Sequence, residues 1–318
     1  MSTLILSKED VQGLLDMAAT IKAVEEAFRD WVEGRASMPP KAYLTVEKGD
    51  FRAMPAAIPG AVGMKWVNVH SQNPSQGLPT VMALLIYSDP ATGYPLAVMD
   101  ATDITAYRTG AAAAIASKYL ARKDARTLGI IGAGRQAYTQ LMAHAELFEF
   151  RQIKVYDPLE SAVEKFIQSL PKYPVQACSL EEAAASDIVC TVTPARELVL
   201  KKEWVIPGAH INAIGADAVG KEELEPSILK GAVVVVDDLR QASASGEINV
   251  PIARGLLHTD EVYASLGEII SGQKKVKRDE KTITVFDSTG AAIEDVAVAR
   301  LIYDRACQSG NYLTVDFV

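Results

Sequence analysis

Apolar and polar positions fall into two rhythms along the chain, with a change at about residue 110. Within residues 20–34, TIKAVEEAFRDWVEG, the apolar residues Ile21, Val24, Phe28 and Val32 recur at helical spacing, and Gly34 supplies a stop. After MPPK the texture turns strand-like. AYLTVEKG, VGMKWVNVH, TVMALLIYSD and YPLAVMDA are each bounded by Gly, Pro, Asn or Asp, as antiparallel strands and hairpins are. The first third therefore predicts a helix followed by a mostly antiparallel sheet.

Beyond the change, GAAAAIASKYLARK is a strong helix former through its alanines. Short apolar runs (TLGII, IKVYD, DIVCTV, HINAI, AVVVV) then alternate with the helical stretches RQAYTQLMAHAELF, SAVEKFIQSL and SLEEAAAS. Continuous apolar strands separated by helices predict an α/β fold with a doubly wound parallel sheet. TITVFDS adds a last strand and AIEDVAVARLIYDRACQ a tail helix.

The segment LGIIGAGRQAYTQL carries Gly132, Gly134 and Ala137 at the positions of G-x-G-x-x-G/A. The first glycine permits a tight turn, the second lets backbone approach a pyrophosphate, and the small third residue lets helix and strand pack closely. An anion then meets free N–H groups at the helix start. A strand precedes the bend, a helix follows, and the next strand ends in Asp157, where a carboxylate accepts from an adenosine ribose. The pattern predicts a bound dinucleotide. Asp157 favours NAD, because its charge repels a 2′-phosphate; Arg135 inside the bend reads either as an offset to that charge, which keeps NADP open, or as a solvated surface arginine.

Composition narrows the field. The 318 residues carry 40 acidic against 32 basic side chains, for a formal charge of -8. No dense basic block is present, so nucleic acid is not an expected partner. KKVKR at 274–278 reads as a solvated turn. Cys178, Cys190 and Cys307 are scattered without metal-ligand spacing, which predicts no metal site and a reducing compartment. MSTLILSKEDV lacks the basic region of a signal peptide, and no run approaches the roughly 20 apolar residues of a membrane span. A soluble cytoplasmic protein is the expectation.

Several polar groups stand out in apolar surroundings: Arg52 in DFRAMPA, Lys65 in GMKWVN, Arg108 and Thr109 in AYRTGAA, and Asp217 with Lys221 in GADAVGKEEL. Arg108 and Thr109 precede the alanine-rich helix, so Thr109 reads equally as a helix cap or as a donor to phosphate. Asp217 follows a predicted strand, at the carboxyl edge where open α/β sheets bind ligands; a helix cap is its alternative reading. His70 and His210 are candidates for proton transfer, but lone histidines are more often structural. Together the cations suit a small carboxylate, which arginine grips bidentately, and one acid suits proton transfer at an amine or imine nitrogen. Arginine, lysine and aspartate thus describe a site for an amino or keto acid beside a nicotinamide.

These residues, in this order, resemble the ornithine cyclodeaminase/mu-crystallin family. MPPKAYL, RAMPA, GMKWVNVHSQNPSQGLPTVMALLIYSDPATGYPLAVMDAT, YRTGAAAAIASKYLAR, IGAGRQA, HINAIGADAVGKEEL, SGEIN and TVFDSTGAAIEDVAVA carry the resemblance over nearly the whole chain. It looks most like the branch of archaeal-type alanine dehydrogenases. The resemblance implies a homodimer built from a discontinuous α+β substrate-binding and dimerisation domain, residues 1–115 with 293–318, and a Rossmann domain over 116–292. It implies Lys65 and Asp217 as catalytic groups, with Arg52, Lys65 and Arg108 on the substrate. For the cofactor it implies Arg108, Thr109, Gly132, Gly134, Arg135, Gln136, Ala137, Asp157, Asp217 and Lys221.

Two positions depart from the cyclodeaminase pattern. Cyclodeaminases place a glutamate where this chain has Arg52, facing the distal amine of ornithine, and an arginine near MPPK where this chain offers Lys41. An arginine opposite a second ammonium is costly in a partly desolvated pocket. The expected activity is therefore NAD-dependent, reversible conversion of L-alanine to pyruvate and ammonia. Ornithine cyclodeamination and ketimine reduction are the alternative enzymes, and a non-catalytic NAD(P)H-binding protein of the mu-crystallin kind is the alternative from another class.

Overall fold

A computed structural model describes residues 2–317. The chain runs β1 (Thr3–Leu6), α1 (Lys8–Leu14), α2 (Met17–Val32), β2 (Ala42–Val46), β3 (Gly49–Ile58), β4 (Ala61–Val69), β5 (Val81–Ser88), β6 (Pro95–Asp100) and α3 (Thr102–Leu120). It continues through β7 (Thr127–Ile131), α4 (Arg135–Leu147), β8 (Gln152–Tyr156), α5 (Glu160–Ser169), β9 (Val175–Ala177), α6 (Leu180–Ala184), β10 (Ile188–Thr191) and β11 (His210–Ala213). Then follow α7 (Pro226–Lys230), β12 (Val233–Val236), α8 (Leu239–Ser245), α9 (Asn249–Ala253), β13 (Ala264–Ser265), α10 (Leu266–Ile270), β14 (Thr284–Asp287), α11 (Ala292–Ser309) and β15 (Leu313–Val315).

Two compact units result. The first ends at Arg108 and resumes at Ala291; the second is Thr109–Gly290. The sequence reading placed these breaks after residues 115 and 292. The earlier break falls inside α3, between Arg108 and Thr109.

In the first unit the sheet order is β15-β1-β6-β5-β4-β3-β2, antiparallel except for the β1–β6 pair. Helix α11 packs along β3, β4 and β5, and α2 packs on α11. Side chains alternate across a strand. The face toward α11 buries Met54, Ala56 and Ile58 of β3, Lys65 and Val67 of β4, and Ala83 and Leu85 of β5. A Cβ at Gly63 would stand 3.2 Å from Val296 Cγ2, so glycine there admits the helix closely. The opposite face leaves Trp66, Leu84 and Ile86 exposed at 40%, 55% and 41%, an apolar row that no described residue covers.

In the second unit all eight strands are parallel, in the order β13-β12-β14-β11-β10-β7-β8-β9. From β7 the chain moves outward through β8 and β9, then returns to β10 on the other side of β7. The order therefore reverses between β7 and β10, the switch point where open α/β sheets bind ligands. Successive residues feed opposite cores: Ile188 and Cys190 pack with Phe166 of α5, whereas Val189 packs with Ala183 and Leu229. Such strands are apolar throughout because helices cover both faces.

Several expectations need correction. Residues 49–58, which carry Arg52, form a ten-residue strand that is absent from the strand-like runs read in the sequence. Pro55 disguised it, since proline is confined to strand positions where no ladder N–H is needed. TITVFDS does form the last strand of the parallel sheet in chain order, β14, and its place is between β11 and β12. In KKVKR, Arg278 is not a solvated charge: its guanidinium donates to the carbonyls of Leu120 and Gly208, and to Thr284 Oγ1 at 3.2 Å.

Candidate active site

The first unit holds a buried charge centre. Lys65 occupies the α11-facing side of β4, between Met54 on β3 and Leu85 on β5, with no exposed surface. Its Nζ donates to Asp295 Oδ1 at 2.7 Å. The same oxygen accepts from Arg108 Nε at 3.0 Å, and Arg108 Nη1 donates to Glu294 Oε2 at 3.2 Å. Glu294 in turn accepts from the Ala291 N–H at 2.8 Å, which fixes it in the first turn of α11. Acids in that turn are favoured by the helix dipole. Burial and then the Arg108 charge lower the Lys65 pKa, the Asp295 carboxylate opposes both, and the net result is a pKa of about 7.

Arg52 lies on the same face as Lys65, one strand away and opposite Val67. Its Nε donates to Asp50 Oδ1 at 2.6 Å, and its guanidinium carbon stands 5.3 Å from the centre of the Tyr43 ring. The plane of a guanidinium so held is preset for a planar carboxylate partner.

The second unit carries the glycine bend at the switch point. Gly132 has φ +102°, which only glycine adopts readily, and a Cβ there would stand 2.9 Å from the Val192 carbonyl. Gly134 is the N-cap of α4, and a Cβ there would meet nothing within 4 Å. The surface above the helix start is thus open backbone, as a pyrophosphate requires. Ala137 is fully buried against the strand, whereas Arg135 is exposed and Gln136 half-buried. Asp157 follows β8 directly, and its Oδ2 accepts from the Ala133 N–H at 2.8 Å. The carboxylate therefore braces the bend as well as standing where a ribose acceptor belongs. These features fit a dinucleotide.

Thr109 does not cap a helix. It is the eighth residue of α3, buried within it; the helix entry is instead held by Asp100, whose oxygens accept from the Thr102 N–H and hydroxyl. Asp217 lies in the loop after β11 rather than at a helix start, so its cap alternative falls too. Lys221 Nζ donates to Asp217 Oδ1 at 2.7 Å and to the Gly215 carbonyl at 3.3 Å.

That loop is tied down by carboxylates the sequence reading did not single out. Glu223, fully buried, accepts from Thr191 Oγ1 at 2.6 Å, Thr193 N–H at 2.9 Å, Thr193 Oγ1 at 2.7 Å and Gly215 N–H at 2.8 Å. A Cβ at Gly215 would lie 2.5 Å from Glu223 Oε1, so only glycine allows this approach. Glu247 accepts from the N–H groups of Glu223 and Leu224, and Asn249 binds the Gly220 N–H and the Lys221 carbonyl. Burial raises the pKa of both glutamates, and for Glu247 the Glu223 charge adds to the effect.

His210 is removed from the proton-transfer candidates. Its Nδ1 pairs with Thr284 Oγ1 and its Nε2 with Asn212 Oδ1, and burial lowers its pKa to about 3, leaving the ring neutral. His70 sits beside Asn68 and edge-on to Phe51.

Of the residues singled out from sequence, the first unit joins Lys65 and Arg108 through one carboxylate and aligns Arg52 on their face. The second joins Asp217 with Lys221 and Asp157 with the bend. Glu294 and Asp295 were missed as participants. Two adjacent acids inside the apolar run AAIEDVAVA were the available signal, because acids are almost never fully buried without partners. No cluster that could hold a metal occurs among the described residues. Nor, among them, is any helix long and apolar enough to cross a membrane.

The family model of the ornithine cyclodeaminase/mu-crystallin family matches residues 1–310. An alanine dehydrogenase of Archaeoglobus fulgidus is 52% identical over 96% of each chain, and a ketimine reductase mu-crystallin of Macropus fuliginosus is 36% identical over 95% of this chain and 97% of its own. Among solved structures, an archaeal alanine dehydrogenase dimer with bound NAD superposes with a TM-score of 0.98 at 50% identity, covering all of both chains. The Δ(1)-pyrroline-2-carboxylate reductase of Thermococcus litoralis, in complex with NADH and L-proline, gives 0.94 at 37% identity over 96% and 98% of the two chains. Matched along almost its entire length, the chain belongs to the ornithine cyclodeaminase/mu-crystallin family.

Proposed function

We propose that the protein is an NAD-dependent amino acid dehydrogenase that interconverts L-alanine and pyruvate: L-alanine, NAD and water give pyruvate, ammonia and NADH, reversibly. The observation that carries the reading is the buried Lys65–Arg108 pair with Arg52 on the same face, in a chain 52% identical to an alanine dehydrogenase. Two cations on one sheet face, with Arg108 of α3 joined to Lys65 through Asp295, suit a small monocarboxylate. Arg52 also stands where cyclodeaminases carry the glutamate that meets a second amine, so it disfavours ornithine.

In this reading Arg108 and Lys65 hold the carboxylate and the carbonyl oxygen of pyruvate, and Arg52 closes the site to a distal ammonium. Orienting the substrate and stabilising charge on its oxygen lower the barrier. Asp217 exchanges the protons required when ammonia adds to the carbonyl carbon and water departs, and Lys221 holds its carboxylate in place. The glycine bend, with Asp157, Gln136 and Arg135, holds the dinucleotide, and Thr109 serves its phosphates. Asp157 favours NAD over NADP. Bound there, the nicotinamide supplies the hydride acceptor in one direction and the donor in the other.

The reading includes a homodimer in the cytoplasm. A dimeric relative and the exposed Trp66, Leu84 and Ile86 support the first, and three unpaired cysteines fit the second. The test follows NADH absorbance with ammonia and either pyruvate, other keto acids or a cyclic imine, and NAD reduction with L-alanine or L-ornithine. NADH loss with pyruvate, matched by NAD reduction with L-alanine, supports the reading. A response to the cyclic imine alone replaces it with ketimine reduction. Ammonia release from ornithine without net NADH change replaces it with cyclodeamination.

A further inference from the structure

In the first unit a single carboxylate oxygen, Asp295 Oδ1, takes hydrogen bonds from both Lys65 and Arg108, residues contributed by β4 and α3. The three side chains are buried, and Lys65 and Asp295 have no exposed surface at all. With Glu294 they form a set of two cations and two anions. Such a set gains a fold little, because well-packed apolar residues of similar volume usually do as well or better. Its geometry also differs from that of two structural carboxylates in the second unit, Glu223 and Asp187, although Glu222 there likewise leaves one oxygen, Oε2, without a hydrogen-bond partner among the described residues. Glu223 accepts hydrogen bonds on both oxygens, and so does Asp187, which binds Arg122 on one oxygen and the Arg126 and Thr127 N–H groups on the other. Asp295 Oδ2, by contrast, has no hydrogen-bond partner among the described residues.

We propose that Asp295 is a positioning residue for the reaction: it locks the Lys65 ammonium and the Arg108 guanidinium into one rigid cationic pair that grips the substrate carboxylate. The proposal rests on the dehydrogenase reading above. Asp295 has two effects. It sets the spacing of two donors that come from different elements, and it raises the Lys65 pKa toward the charged form, against burial and the neighbouring cations. The charged groups that face Lys65 are Arg108 on α3, Lys41 ahead of β2 and Asp295 on α11. The first two are cations that drive the ammonium toward neutrality. Asp295 is the counterweight, so without it Lys65 arrives at neutral pH largely uncharged and grips an anion poorly.

The test compares wild type with Asp295→Asn and Asp295→Glu, reading the pH profile of kcat/KM for pyruvate at saturating NADH and ammonia. The titration of ammonia is common to all three proteins and cancels in their ratios. Asparagine keeps the shape and removes the charge. The high-pH limb of Asp295→Asn is expected to move to lower pH by about 1–3 units, which is the effect of losing an opposite charge at this range. The KM for pyruvate near neutral pH should rise at least about tenfold, as expected for misplaced binding groups. NADH affinity, read by fluorescence, should stay at the wild-type value. Glutamate keeps the charge and shifts it by one methylene, so its limb should stay in place while KM rises.

An Asp295→Asn profile that overlays wild type, with KM within about twofold, overturns the proposal and leaves the dehydrogenase reading intact. Failure of both variants to fold also overturns it, since Asp295 would then be a core residue only. Wild type inert toward pyruvate and every other acid tested overturns the dehydrogenase reading, and the positioning role falls with it.

Discussion

One buried carboxylate centre in each unit is built in the opposite way to the other. The first surrounds two cations with two anions, Lys65 and Arg108 with Glu294 and Asp295, so charge answers charge. The second buries Glu223 and Glu247 without a cation on either: their partners are backbone N–H groups and threonine hydroxyls. Fixed dipoles suit a carboxylate whose task is to hold chain segments together, because they cannot leave for a ligand. Paired side-chain charges suit a centre that must exchange one partner for a substrate, because an arriving carboxylate can share the cations. On the proposed reading the first arrangement is chemistry held ready, and the second is scaffolding for the loop that carries Asp217.

The largest expected effect breaks the first centre alone. Lys65→Met keeps the length and apolar stem of the side chain but removes its charge. We expect kcat/KM for pyruvate to fall by about 10²–10³-fold, the loss typical of one preorganised charged donor. NADH binding should be unaltered in a fluorescence titration, because the bend belongs to the second unit. Retained turnover would reduce Lys65 to packing and remove the contrast between the centres.

A smaller but broader effect follows at the second centre. Glu223→Ala leaves the N–H groups of Thr193 and Gly215 and two threonine hydroxyls without their acceptor. Each unpaired buried donor costs about 1–3 kcal/mol, so a loss of about 3 kcal/mol or more is expected, roughly 6 °C or more in Tm. NADH affinity should weaken as the loops after β10 and β11 loosen. Calorimetry and the same titration decide it: a stable variant with weak turnover would make Glu223 a reactive group instead of scaffolding.

The architecture was legible where periodicity was clean. TLGII, IKVYD, DIVCTV, HINAI and AVVVV are all strands of the parallel sheet, because continuous apolar runs of that length fit only strands covered on both faces. Legibility failed where local rules and tertiary packing disagree. The α3 entry, Thr102 to Tyr107, has β-branched and polar residues that are modest helix formers, so the helix seemed to begin at the alanines. In MKW the binary pattern is inverted: Lys65 faces the buried helix side while Trp66 is exposed. No local rule predicts that, since the lysine is tolerated only by an aspartate 230 positions away. The cations of the candidate site were visible one at a time, but their convergence and their anionic partners were not. Such inversions are where function overrides the pattern.

The subtlest prediction sharpens the comparison through pH. Burial and the Glu223 charge raise the Glu247 pKa well above the ordinary carboxyl value of 4.5. A native state that keeps a proton the unfolded chain has released is stabilised fully at low pH, and that contribution is lost as pH rises through the folded pKa. Glutamine has no such proton, so the stability of Glu247→Gln relative to wild type should climb as pH rises above 4.5, by at most about 1.4 kcal/mol per pH unit. Lys65 tilts the other way. Its pKa falls from 10.5 to about 7 on folding, so the native state sheds a proton the unfolded chain retains. Stability from Lys65 therefore grows with pH between about 7 and about 10.5, and Lys65→Met should lose that rise. Thermal melts of the two variants across this range should thus diverge from wild type in opposite directions: Glu247→Gln gains relative to wild type as pH rises, and Lys65→Met falls behind. Curves that tilt together would mean that the two centres hold their charges by the same device.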